Sequence, residues 1–211
     1  MGRDAWKAKE NEYLERIEAN RAGYERQTEA LGLEERYETI YLMGQTRTHL
    51  YENRDFDLVE KELREKFGTA SEPMKALRYH ILLGALGNFY YGEDPEELLG
   101  VLNEWAAAKS ESYLPLLVRG KFYKNYAWYY RGNGLAYTVS EESWDGFEKY
   151  LERARTDLDR VHDMNPEDPE ASVAMITVSS ALSLDPSTVR KYYDRALSIN
   201  PLHYGARSDL L

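Results

Sequence analysis

Asn165-Pro166-Glu167-Asp168-Pro169-Glu170-Ala171 is echoed 35 residues later by Asn200-Pro201-Leu202-His203-Tyr204-Gly205-Ala206, with Asn-Pro and Ala in the same places. A recurrence near 34 residues marks helical hairpins that stack on one another, because a single hairpin cannot bury its apolar face alone. That one feature restricts the chain to an all-α architecture. It also points the function towards binding, since stacked hairpins present an extended concave surface lined by the first helix of each pair.

The rest of the chain reads the same way. From residue 33 the apolar spacing and the punctuation predict helices over 33–53, 55–67, 71–91, 94–108, 113–131, 143–163, 168–183, 187–199 and 203–211. Asp94-Pro95, Asp168-Pro169 and Asp185-Pro186 read as helix starts, with Asp as cap and Pro in the first turn. Gly132-Asn133-Gly134 stops the helix 113–131, because Gly and Asn tolerate the left-handed conformation beyond a helix end. The stretch 132–140 should be an exposed connection longer than the others. Gly84 and Gly87, three residues apart inside an expected helix, each cost about 1 kcal/mol against Ala and imply a close helix crossing in return.

Residues 1–32 form a separate segment ahead of the repeat domain at 33–211. Trp6, Tyr13, Ile17, Tyr24 and Leu31 make a narrow apolar stripe on an otherwise charged helix, expected to cap the first hairpin. A coiled-coil dimer arm is the alternative.

Charge and composition exclude several functions. The formal net charge of −10 opposes nonspecific nucleic-acid binding, which needs cations to displace counterions. With no cysteine, thiolate metal sites and cysteine nucleophiles are excluded. No apolar run is long enough to span a bilayer, and the N-terminus has no signal-peptide core, so a cytoplasmic protein is expected. No phosphate-binding loop, dinucleotide loop or nucleophile elbow is present. The four histidines are scattered and no pair has helical zinc-site spacing. Asp157, Asp159, His162 and Asp163 read as a solvated acidic helix face. Catalytic residues, metal and cofactor are therefore all expected to be absent.

The one charge asymmetry lies in residues 101–140, which hold 2 acidic and 5 basic side chains. Within them the helix 113–131 is apolar on several faces and should be the central helix of the stack. Lys121, Lys124, Trp128 and Arg131 follow helical spacing along it, with Tyr123 beside them. A groove with these five residues would suit an acidic peptide or a partner protein's carboxylate, with Trp128 as an apolar platform. Salt-bridging to neighbouring carboxylates is the structural alternative for the same stripe.

The C-terminal unit resembles a tetratricopeptide repeat. With Pro201 as the closing proline, Ala196, Tyr193 and Ile176 fall where that pattern places a small residue, an aromatic and a leucine. The unit closed by Pro166 has Ala154 at the small position and Leu158 at the aromatic one, whereas Thr177, Ser180 and Val189 depart from the pattern. Upstream, Tyr126-Ala127-Trp128, Arg131-Gly132 and Gly134, followed by Phe147, Leu151, Ala154 and Leu158, resemble a bacterial domain family of unknown function over roughly residues 50–170. The resemblances imply a right-handed α-α superhelix and a non-catalytic scaffold for protein–protein interaction, with an enzyme or small-ligand binder in the same groove as the alternative.

Overall fold

The computed structural model describes residues 33–67, 73–90 and 92–208, and all regular structure among them is helical. The helices are α1 (Leu33–Arg47, running on into a π turn at Thr48–Glu52), α2 (Phe56–Phe67), α3 (Pro73–Leu86), α4 (Pro95–Ala108) and α5 (Leu114–Arg131). After a short 3-10 turn at Ala136–Thr138 come α6 (Glu141–Met164), α7 (Pro169–Ala181), α8 (Pro186–Ile199) and α9 (Tyr204–Ser208). The N-terminal segment at 1–32, with its apolar stripe, lies outside the described residues. No helix among them is long and apolar enough to cross a membrane.

Local chemistry sets these boundaries. Asp94, Asp168 and Asp185 each accept a hydrogen bond from the backbone N–H two residues on, at 2.8–2.9 Å, and a proline follows each in the first turn. These caps satisfy N–H groups that a helix start leaves without partners. Gly132 ends α5 at φ 76°, a conformation open to glycine, and its N–H reaches back to the carbonyls of Trp128 and Tyr129. The connection 132–140 that follows is the longest among the described residues, and Tyr137 on it is 83 % exposed.

α2 packs on the π turn after α1 and on α3, and from α4 onward each helix packs on the next; the odd-numbered ones also pack on each other in chain order, α1 on α3, α3 on α5, α5 on α7 and α7 on α9. The core runs through this layer. Leu83 and Leu86 of α3, Leu117, Val118 and Phe122 of α5, Leu151 and Leu158 of α6 and Val178 of α7 are all buried in one apolar cluster. Helix α5 sits at its centre, with buried residues on nearly every face along its first three turns.

Helix α3 stops at Leu86, short of the 91 expected from the sequence. The reason is a buried arginine. Arg47, at the end of α1, donates to the carbonyl oxygens of Ala85 and Asn88, and Tyr51 donates to that of Leu86. These side chains take up acceptors that a continuing helix would have claimed. Of the two glycines expected to sit inside a helix at a close crossing, Gly87 lies just past the end of α3 and permits a close approach to α5 there: a Cβ would lie 2.8 Å from Lys121 Cβ and 3.1 Å from the Val118 carbonyl. Gly84 has open space where its Cβ would stand.

Candidate functional site

Of the stripe Lys121, Tyr123, Lys124, Trp128 and Arg131, the structure exposes one end and buries the other. Trp128 is half exposed near the end of α5 and packs edge-on against Phe147 of α6, ring centroids 4.8 Å apart. The Arg131 guanidinium lies 5.6 Å from the Trp128 ring centroid and 4.9 Å from that of Trp144 at the start of α6. Its hydrogen bonds go to the carbonyls of Gly132 and Gly134, and no carboxylate among the described residues pairs with it. Tyr129, Leu135 and Tyr137 add further exposed apolar surface around this end of the α5–α6 hairpin. Lys124 is half-buried one turn before Trp128.

Tyr123 is buried and stacks on Tyr150, flanked by the guanidinium groups of Arg119 and Arg153 at 5.8–5.9 Å. Arg119 in turn forms a two-pronged pair with Asp157, both contacts 2.8 Å. Asp157 is buried in that pair, so it is not part of a solvated acidic face. Sequence periodicity placed it on the charged side of α6 because it cannot see an arginine 38 residues away.

Lys121 points the other way, into the layer of odd-numbered helices. Its Nζ donates to Glu170 Oε2 at 2.7 Å, and both side chains are almost fully buried. Glu170, in the first turn of α7, also takes His80 Nδ1 of α3 at 2.9 and 3.0 Å and His203 Nε2 at 3.0 Å. Three segments far apart in sequence thus converge on one carboxylate. The ring protons follow from the partners. A carboxylate only accepts, so His80 donates through Nδ1. His203 Nδ1 faces the Ala206 N–H at 3.3 Å, which leaves the His203 proton on Nε2, pointing at Glu170. Gly205 makes room for the ring of His80, since a Cβ there would stand 2.6 Å from His80 Cε1.

Asp168 adds a second buried carboxylate. Besides capping α7 it accepts from Tyr79 Oη of α3 at 2.7 Å. Burial and the neighbouring charge of Glu170 push its carboxyl up to about 6. Burial would raise Glu170 too, but His80, Lys121 and the His203 hydrogen bond outweigh it and hold the carboxyl well below the usual range. His80 is shifted downward, first by burial, with Glu170 opposing. The Tyr79 hydroxyl is pushed far up by burial and by Asp168.

The Asp168 shift has a measurable sign. A carboxyl raised in the folded state favours folding where it is protonated, and that contribution is lost as pH rises through about 6. Asp168→Asn keeps the capping oxygen and removes the titration. Stability measured by urea at pH 5 and pH 7 should therefore differ between wild type and Asp168→Asn, with wild type gaining about 1 kcal/mol relative to the variant on acidification. The opposite response of His80, whose contribution is present above its ordinary range and lost as pH falls, affects both proteins alike. Parallel pH curves for the two proteins would refute the assignment.

The Glu170 cluster left little trace in the sequence. Its histidines belong to no local motif, and Glu170 reads as an ordinary acidic residue in a helix's first turn. The Asp-Pro-Glu start of α7 was its only visible component. No curated protein and no solved structure matches the chain. A family model does match, over residues 56–187, from the start of α2 to the start of α8. The chain belongs to that family, a domain of unknown function (DUF4034).

Proposed function

We propose that the chain is a non-catalytic interaction scaffold, a right-handed superhelix of tetratricopeptide-like hairpins. It takes an acidic segment of a partner protein at the surface formed by Trp128, Arg131 and Trp144. The observation that carries this reading is the state of Arg131. It is a cation held beside two half-exposed indole rings, and among the described residues its hydrogen bonds go only to backbone carbonyls. An arginine pre-oriented by aromatic faces keeps a planar fork of donors for a carboxylate at low entropic cost. Exposed aromatic rings beside it supply apolar contact area of the kind enriched at interfaces. The superhelical reading is supported by the packing order of the odd-numbered helices. It is supported too by the two matched turns, in which the Asn165 and Asn200 carbonyls each accept the N–H of the residue three positions on.

Selection of random peptides on the immobilised full chain tests the reading. Enriched peptides should carry Asp or Glu beside an apolar residue and should bind more weakly as salt screens the charges. Arg131→Ala should lose most of that binding while changing stability by less than about 1 kcal/mol, the scale of an exposed cation–π contact. Selected peptides without acidic enrichment, or binding unchanged in Arg131→Ala, would remove the basis for the proposal.

A further inference from the structure

We propose that His80, Glu170 and His203 form a binding site for a divalent transition-metal ion of the Zn2+ or Co2+ class, with Lys121 as the competing cation. The donor atoms, His80 Nδ1, a Glu170 carboxylate oxygen and His203 Nε2, all lie within 4.8 Å of one another. The two histidine-to-carboxylate separations are already 2.9–3.0 Å. Ligand atoms about 2.1 Å from a tetrahedral ion stand about 3.4 Å apart, so an ion enters where two hydrogen-bond protons now sit once both histidine-to-carboxylate separations widen by about 0.4–0.5 Å and the two ring nitrogens close to a similar spacing from within 4.8 Å. Two imidazole nitrogens and one carboxylate oxygen suit zinc, cobalt or iron in preference to magnesium or calcium, which take oxygen ligands.

The surroundings fix each donor. Glu170 is held at the start of α7 by the Asp168 cap, and His80 is kept in place against Gly205. The metal-bound tautomers are accessible. His80, a quarter exposed as a side chain, moves its proton to Nε2. His203 moves its proton to Nδ1 and gives up one long contact, 3.3 Å, with the Ala206 N–H. Charge favours a cation as well, because among the described residues two buried carboxylates, Asp168 and Glu170, lie close together and Lys121 pairs with Glu170 alone. Lys121 Nζ, 2.7 Å from Glu170, is what the ion must displace.

That competition gives the test its discriminating arm. The full chain is titrated with Co2+ at neutral pH, following visible absorption, and Zn2+ is then added in competition. One equivalent of Co2+ should bind with visible bands that Zn2+ abolishes. His80→Ala and His203→Ala should each weaken binding by about 100-fold or more, as loss of a ligand exceeds loss of a supporting contact. Lys121→Met, checked for helicity by circular dichroism, should bind about tenfold more tightly, because the opposing charge is gone. Should His203→Ala fail to fold, the partly exposed His80→Ala carries the ligand test alone. The proposal is overturned if neither wild type nor Lys121→Met develops the bands. It is overturned equally if the bands survive in His80→Ala, or if Lys121→Met binds no better than wild type.

Discussion

Glu170→Ala is expected to destabilise the chain by about 3–5 kcal/mol, the range seen when one partner of a buried ion pair is removed. The loss of side-chain contacts is the smaller part. Lys121, 5 % exposed, would be left as a buried cation with its nearest acceptor gone, and His80 and His203 would lose the group that orients both rings. Against a typical stability of about 5–15 kcal/mol, such a loss leaves the protein marginal. The companion measurement is Lys121→Met with Glu170→Ala. Replacing both charges with apolar groups removes the stranded cation, so the double variant should be more stable than Glu170→Ala alone. Urea denaturation of the four proteins gives the coupling directly. A Glu170→Ala loss below about 1 kcal/mol would mean that Lys121 finds water or Asp168 instead.

The second large effect belongs to Arg47. Its guanidinium makes a two-pronged pair with Glu93 at 2.7 and 2.8 Å and donates to backbone carbonyls of Ala85 and Asn88. It is also enclosed by the rings of Tyr51 and Tyr90, with centroids 4.9 and 4.6 Å away. Arg47→Ala should cost about 3 kcal/mol, combining the stranded acceptors with the lost pair. Arg47→Lys should recover less than half of that, since an ammonium cannot present the forked geometry that two carbonyls and a carboxylate require. Hydrogen exchange would locate the effect, with the largest loss of protection between the end of α3 and Glu93. Full recovery by lysine would reduce the site to simple charge.

The helices were largely legible in the sequence because their signals are local. Asp-Pro pairs open α4, α7 and α8 where they were expected, and the Gly132 stop falls where the apolar run of α5 gives out. The errors came from partners remote in the chain. Helix α3 is shortened by Arg47, which reads in sequence as one more cation at a helix end. Lys121 shares helical spacing with Trp128 and Arg131, but the two helical turns from Lys121 to Trp128 carry that face from a buried interface to an open edge. Periodicity fixes which residues share a face, not which neighbour covers that face along its length. The Glu170 cluster was illegible for the same reason in stronger form, since its members meet only after α3, α5 and α7 are side by side.

In a repeat stack of the kind proposed above, each unit would touch only its neighbours, and stability would spread along the chain one interface at a time. Tyr79 and His80 break that rule by reaching past α5 to Asp168 and Glu170. Their hydrogen bonds span 89 and 90 residues. A ribosome delivers α3 long before it delivers α7, so during synthesis these side chains wait without their carboxylates. The hairpins should consequently not ripen in order from the N-terminus. The middle of the molecule is committed only when residue 170 has emerged, and folding should proceed as one late, concerted event rather than as a zipper.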